Sequence, residues 1–365
     1  MSDTATQTIE RASSRTGAVA ASQKGQVQAA VVGVTGYTGY ELARLLLRHA
    51  RAYQPVFYLR ETNGAKHLTD VFPALSRWRD APVRQFSAEA VASEGAQVAF
   101  LSTPHEASIE TAPALLKAGL RVVDLSGAFR FPKGETLAKW YGLEPPAPAL
   151  LERAVYGLTE LYSAQIKDAQ LVANPGCYAT AVILGLRPLV ESGLVARGRG
   201  IVCDCKSGTS GAGKEPRRDT HFCEVNENFR AYKVFSHQHT PEVLEHTGLC
   251  MDDVMFSTHL LPVNRGILAT LYAWLDAPVV AADIEALYRR FYAGRAMVRV
   301  WPAGRLPELQ HVQHTNFCDI GIALDPSGRR VMVVSCLDNL GKGAAGQAVQ
   351  NFNVMHGFEE AEGLI

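Results

Sequence analysis

The 365-residue chain has no surplus of charge of either sign: 36 Lys and Arg stand against 36 Asp and Glu. With no net field to draw it to nucleic acid or to an anionic membrane, small-molecule chemistry is the better expectation. Long apolar runs are missing as well. Charge or glycine interrupts each of them well short of the ~20 residues that a spanning helix needs, so no transmembrane helix is expected. Cysteines number seven, at 177, 203, 205, 223, 250, 318 and 336, without a CxxC pair. An odd, scattered set suits reduced thiols in a cytoplasmic enzyme and argues against a structural zinc site. No internal repeat is found. Residues 1–26 are rich in Ser, Thr, Ala and Gln and lack the apolar centre of a secretory signal. They read as a disordered N-terminal extension. A mitochondrial presequence is the alternative, given Arg11 and Arg15, and Asp3 and Glu10 speak against it.

What is present is ordinary globular composition, 47% hydrophobic and 20% charged, over a length that suits two domains. The run Ala29 to Val34 reads as a buried strand, followed by a glycine turn and a helix around Glu41 to Leu47. Further strands are expected at Pro55–Leu59, Val98–Leu101 and Val122–Leu125, with a helix at Ser108–Ala118. The first third is therefore α/β, a Rossmann-like doubly wound parallel sheet. The proline-rich stretch Phe131–Ala154 reads as a surface connection leading out of the first domain. Beyond Cys177, strands near Ile201–Cys205, Gly266–Trp274, Phe317–Leu324 and Arg330–Leu337 follow one another with few helices. They predict a second α+β domain with a mixed, largely antiparallel sheet. Gly341–Phe358 reads as helical again.

The turn Gly33-Val34-Thr35-Gly36-Tyr37-Thr38-Gly39 stands where a dinucleotide fingerprint needs glycines, with its first gap one residue longer than GxGxxG. Free N–H groups at the start of the next helix would hold phosphates. A purely structural βα turn is the rival reading. The second strand ends in Arg60, with Lys66 nearby and Glu61 adjoining. Arg here accommodates a 2′-phosphate where Asp or Glu would take a bare hydroxyl, so NADP is favoured over NAD. A solvated strand-end charge is the alternative.

Cys177 follows Asn174-Pro175-Gly176 and precedes a helix-compatible run, which puts its sulfur at a helix N-terminus. Such a place favours thiolate and predicts a lowered thiol pKa. A base is available in Ser236-His237-Gln238-His239-Thr240-Pro241-Glu242, where Thr240 and Pro241 would start a helix and Glu242 would orient an imidazole. A His-x-His metal site lacks an evident third ligand, and surface histidines are the other alternative. The loop Lys206-Ser207-Gly208-Thr209-Ser210-Gly211-Ala212-Gly213-Lys214 offers many donors to a phosphate or a nicotinamide, or is a flexible linker. Arg130 and Arg265 are candidates to fork-bind a substrate carboxylate or phosphate, or else to form surface ion pairs.

Taken together, these segments resemble the N-acetyl-gamma-glutamyl-phosphate reductase family of the semialdehyde dehydrogenase superfamily. The resemblance runs from Val31 to the C-terminus and also includes Asp124-Leu125-Ser126, Val155-Tyr156-Gly157-Leu158 and Asp338-Asn339-Leu340-Gly341-Lys342-Gly343. It implies reduction of an acyl phosphate to an aldehyde in arginine biosynthesis, with NADP(H) as cofactor and a thioester on Cys177. His239, with His237 in reserve and Glu242 behind them, would carry protons. Cofactor contacts are expected at Gly33, Thr35, Gly36, Tyr37, Thr38, Gly39 and Arg60 from the turn and the strand end, and the resemblance implies further ones at Ser207, Gly208 and Asn339. Substrate contacts would fall on Arg130, Asn174 and Arg265, and no metal is expected. It implies a cofactor domain at 27–173 rejoined by the C-terminal helix 339–365, a catalytic and dimerisation domain at 174–338, and a homodimer or homotetramer. Ala179 departs from the family, which often has Pro there.

Overall fold

Ala29 to Val32 are almost wholly buried, as an unbroken apolar run must be when helices cover both faces of a parallel sheet. In the computed structural model, which describes residues 25–78 and 80–365, they lie in β1 (Val27–Val32). The expected extension at 1–26 falls outside the described residues, apart from Gly25 and Gln26. Around β1 stand β2 (Ala52–Leu59), β3 (Val83–Gln85), β4 (Val98–Leu101), β5 (Arg121–Asp124), β6 (Val155–Tyr156) and β7 (Leu171–Ala173). Their order is β3-β2-β1-β4-β5-β7-β6, and every pairing is parallel. The direction of winding reverses between β1 and β4, so a crevice opens above the carboxyl ends of these two strands. Gly39, Leu42, Ala43, Leu46 and Leu47 recur at helical spacing, and helix Tyr37–Arg48 buries that face against the sheet.

The proline-rich stretch 131–154 does not leave this sheet, contrary to expectation. It forms two short helices, Gly134–Tyr141 and Pro148–Arg153, and returns the chain as β6 and β7. Proline keeps a segment out of a ladder but says nothing of where the next strand goes.

The second sheet holds β8 (Ile201–Ser207), β9 (Arg230–Tyr232), β10 (Val254–Leu260), β11 (Ile267–Trp274), β12 (Val298–Val300), β13 (Cys318–Leu324) and β14 (Arg330–Leu337). Its order is β12-β13-β14-β11-β8-β10-β9, antiparallel except for β8/β10 and β12/β13. It is mixed and largely antiparallel, as the sequence predicts. Burial alternates along β8, so one face is packed and the other open. Helix Cys177–Glu191 lies on the packed face, buried nearly all round. Pro188 cannot donate to the carbonyl of Leu184, and the Tyr292 hydroxyl donates to it instead at 2.5 Å.

Past β14 the chain crosses back to the first sheet. A π-turn at Gly341–Ala345 leads into helix Gly346–Met355, which packs on helices Tyr37–Arg48 and Thr159–Asp168. Its polar side is as buried as its apolar side. Lys342 Nζ donates to Glu160, Gln347 and Gln350, each at 2.6 Å, with Lys342 and Glu160 both fully enclosed. Burial alone would raise the Glu160 carboxyl. Lys342, together with hydrogen bonds from Lys342 and Gln350, holds it below its ordinary value.

Removing one partner of such a pair strands the other charge, at a cost of about 3–5 kcal/mol. Lys342→Met should therefore lower the free energy of urea unfolding by that amount at neutral pH. Because Glu160 is held ionised below the ordinary 4.5, the stabilisation is present above that pH and is lost on acidification. The gap between variant and wild type should close as the pH falls.

Candidate active site

The three glycines of the turn after β1 differ in what surrounds them. Gly33 leaves the strand at φ +85°, and a Cβ there would meet the carbonyl oxygen of Ser102 at 2.5 Å. A Cβ on Gly39 would meet the carbonyl oxygen of Val34 at 2.5 Å. Gly36, by contrast, has nothing within 4 Å of that position. Gly33 lets the segment after β4 come close, Gly39 lets the turn close on itself, and Gly36 faces a cavity of about 350 Å³. This is the pattern a diphosphate cradle requires: open backbone at the start of a helix, with no side chain in the way.

The far wall of the same cavity carries Cys177, His237 and His239. Cys177 is the first residue of its helix, with Gly176 extended before it. His239 precedes helix Thr240–Thr247 as its N-cap residue, and Pro241 stands in the first turn. A Cβ on Gly176 would lie 2.4 Å from His239 Nε2, so the imidazole rests directly against the loop that carries the sulfur. The backbone N–H of His239 donates to His237 Nδ1 at 3.1 Å, and the two rings meet edge to face at 4.8 Å.

Glu242 does not orient this imidazole, contrary to expectation. Its Oε1 lies 4.0 Å from His239 Nε2, too far for a hydrogen bond. The carboxylate instead accepts from Arg130 Nη1 at 2.9 Å, from the Tyr156 hydroxyl at 2.8 Å and from the Gly176 N–H at 2.9 Å. A guanidinium and a backbone N–H are the stronger claimants on a buried carboxylate. Glu242 thus braces the Cys177 loop. Arg130, expected at the substrate, is largely engaged: besides Glu242 it donates to the carbonyls of Asn174 (2.8 Å) and Leu125 (3.2 Å), though it still lines the cavity.

Two other expected substrate contacts are not in the cavity wall. Asn174 donates to the Ala344 carbonyl and accepts from Asn351, both at 3.1 Å, which ties β7 to the C-terminal segment. Arg265 is buried between Asp338 and Glu41 and so joins the second sheet to helix Tyr37–Arg48. Their side chains are spent on structure. Gly36, Tyr37, Thr38, Ser207 and Asn339 do line the cavity. Gly208 lies behind it, where a Cβ would strike the Asn264 carbonyl at 2.6 Å. Arg60 is exposed at the end of β2, and Thr35 is exposed with its carbonyl accepting from Lys214. Lys214, of the loop expected to meet a phosphate or a nicotinamide, also lines the wall, and Ser102, Thr103, Tyr178 and Tyr232 complete much of it without being singled out by the sequence. Ser102 and Thr103 were accessible to sequence reasoning, since they follow β4 at the switch of winding. Among the described residues no group of three His, Cys, Asp or Glu is placed to hold a metal ion.

Comparison with known proteins covers more than nine-tenths of the chain. The semialdehyde dehydrogenase NAD binding domain matches residues 28–169, and the semialdehyde dehydrogenase dimerisation domain matches 177–339. N-acetyl-gamma-glutamyl-phosphate reductase of Geobacillus stearothermophilus is 46% identical over 92% of this chain and 97% of its own. The protein of that name from Geobacter sulfurreducens is 46% identical over 93% of this chain and 98% of its own. The chain belongs to the semialdehyde dehydrogenase family, among its N-acetyl-gamma-glutamyl-phosphate reductases. Solved relatives share the fold at low identity. Aspartate semialdehyde dehydrogenase II of Vibrio cholerae, complexed with ASA, aligns with a TM-score of 0.69 at 17% identity, over 92% of this chain and 98% of that one. Aspartate semialdehyde dehydrogenase of Candida albicans with NADP gives 0.66 at 15% identity, over 93% and 100%. No helix of the described residues is long and apolar enough to cross a membrane.

In this member of the family the electrostatics of the sulfur depart from expectation. Burial pushes the Cys177 thiol up to about 11, against the pull of the Tyr178 N–H and of Arg130. The helix start therefore does not produce a resting thiolate. The same dryness acts oppositely on the bases. Burial, with His239 and Lys233 adding to it, takes His237 down to about 2, and burial and Arg130 hold His239 well below its ordinary value. A protonated thiol thus shares the cavity wall with neutral imidazoles. Iodoacetamide labelling of Cys177 in the free protein should accelerate continuously from about pH 7 to about pH 10, because only thiolate reacts. A plateau reached near pH 7 would contradict a raised thiol.

Proposed function

We propose that the protein reduces N-acetyl-gamma-glutamyl phosphate to N-acetyl-glutamate semialdehyde with NADPH, releasing phosphate, through a thioester on Cys177. The observation that carries this reading is that Gly36 and Cys177 line one cavity, in a chain 46% identical to proteins of that name. The Cys177 sulfur attacks the acyl carbon while His239 takes the thiol proton, and the carbon–oxygen bond to phosphate breaks to leave a thioester. Backbone N–H groups at the helix start suit the developing oxyanion. When bound, the reduced nicotinamide supplies the hydride that the thioester carbon accepts. Collapse of the resulting thiohemiacetal oxyanion expels the sulfur as aldehyde forms, and His239 returns its proton to the sulfur. His239 is preferred over His237 because it abuts Gly176, and because its buried Nδ1 has no partner among the described residues. Nδ1 of His237 is already engaged by the His239 N–H.

The residues around the cavity fit a nicotinamide dinucleotide. The turn from Gly33 to Gly39 would cradle the diphosphate, with Arg60 at the end of β2 favouring the 2′-phosphate of NADP. Ser207 and Asn339 would face the nicotinamide end, where Asn339 is fixed by the Gly266 N–H at 2.7 Å and by Ser210 at 3.0 Å. Gly208 acts by letting the Asn264 backbone approach. In this reading residues 27–173 with 339–365 form the cofactor domain, and 174–338 form the catalytic and dimerisation domain. The open face of the second sheet, which exposes Met255 and Tyr272, suits a homodimer or homotetramer. Phosphate-dependent oxidation of N-acetyl-glutamate semialdehyde with NADP should fall roughly a thousand-fold or more in Cys177→Ser. A near-wild-type rate in the variant, or a wild type that prefers aspartyl phosphate when the substrates are run side by side, would sink the proposal.

A further inference from the structure

Among the described residues the cavity wall holds no carboxylate and two permanent cations, Arg130 and Lys214. They are in different electrostatic states. Arg130 is neutralised by Glu242 at 2.9 Å, with both side chains buried. Lys214 forms no ion pair among the described residues. The loop that carries it has a second lysine, Lys206, but that ammonium is paired with Asp204 and is not in the wall. Loop composition cannot separate the two lysines, and the structure does. Lys214 carries the unneutralised charge of the cavity.

Its position is as informative as its charge. Lys214 follows β8 of the second sheet, yet its hydrogen bond and its ring contact are with the first. Its Nζ donates to the Thr35 carbonyl at 3.3 Å and lies 5.9 Å from the centre of the Phe72 ring. Gly213, at φ +87°, supplies the turn just before it. The ammonium therefore stands beside the glycine turn, next to the open backbone of Gly36 and the positive end of helix Tyr37–Arg48. Two sources of positive potential converge on one spot that no anionic side chain fills.

We propose that Lys214 is a phosphate-binding residue that the second domain lends to the glycine turn of the first. The group it recognises is a phosphate, carried either by the dinucleotide or by the acyl phosphate. The Thr35 contact puts the ammonium on the dinucleotide's side of the cavity. On phosphate entry Nζ exchanges an uncharged carbonyl oxygen for a charged one, and such charge-assisted bonds are roughly twice as strong as neutral ones. The inference rests on the reading that a dinucleotide and an acyl phosphate meet in this cavity.

The test uses the full chain as wild type, Lys214→Met and Lys214→Arg. NADPH affinity is read by fluorescence titration, and the KM for inorganic phosphate is read in the oxidative direction. Lys214 is exposed and packs into no core, so circular dichroism and the thermal midpoint should be unchanged in both variants. A dinucleotide phosphate as the bound group predicts an NADPH Kd about ten-fold weaker in Lys214→Met, largely restored in Lys214→Arg, with the phosphate KM unmoved. The reacting phosphate predicts the converse, a phosphate KM about ten-fold higher with the NADPH Kd unmoved. A Lys214→Met protein that matches a cofactor-binding wild type in both measurements overturns the inference alone. A wild type that binds no nicotinamide dinucleotide fails the functional reading, and the inference with it.

Discussion

The buried carboxylate of Glu242 is the point on which the site depends. It meets Arg130 at 2.9 Å with the two side chains 0% and 6% exposed, and it also accepts from Tyr156 and from the Gly176 N–H. Arg130 passes the connection on to the carbonyls of Leu125 and Asn174, which follow β5 and β7, while Tyr156 ends β6. One ion pair therefore joins the carboxyl edge of the first sheet, the loop before the nucleophile and the helix that follows the histidines. Buried pairs of this kind give little net stability, because desolvating both ions offsets most of the attraction. Their effect here is positional, and the loss of either partner would remove one of the ties that hold the Cys177 loop.

The burial around this pair also sets the protonation states beside it. The thiol goes up and the imidazoles go down, so the resting site is uncharged at its reacting atoms although Arg130 stands close by. A neutral sulfur is a poor nucleophile and is slow to oxidise. On the proposed function, reactivity waits for a substrate whose acyl carbon draws the sulfur forward while an imidazole takes the proton. Covalent catalysis of this sort does not need a preformed thiolate, only a base in reach.

Much of this was legible in residue patterns, and what was not shares a cause. The strand at 98–101, the glycine turn, the Cys177 helix start and β14 followed from apolar runs and punctuation by Gly and Pro, which are local signals. The role of Gly39 was legible too, since its steric demand comes from Val34 within the same turn, whereas that of Gly33 comes from Ser102 at the end of a distant strand. Errors arose where a polar side chain chooses between distant partners. Glu242 lies three residues after His239 yet bonds Arg130, which is 112 residues away. Asn174 and Arg265 are polar residues near the nucleophile or the cofactor loop, and their partners Asn351 and Asp338 lie 177 and 73 residues off. The expected thiolate failed for a related reason: a helix start can be read from sequence, whereas the burial that outweighs it cannot.

On the proposed function, one cysteine becomes acylated in a cavity that also receives the hydride donor. Intact-protein mass spectrometry of the enzyme mixed with N-acetyl-gamma-glutamyl phosphate in the absence of NADPH tests it most directly. A single N-acetyl-glutamyl increment that maps to Cys177 and discharges when NADPH is added is the predicted result. An increment on the exposed Cys223 or Cys250, or turnover with no acyl adduct on Cys177, would contradict it.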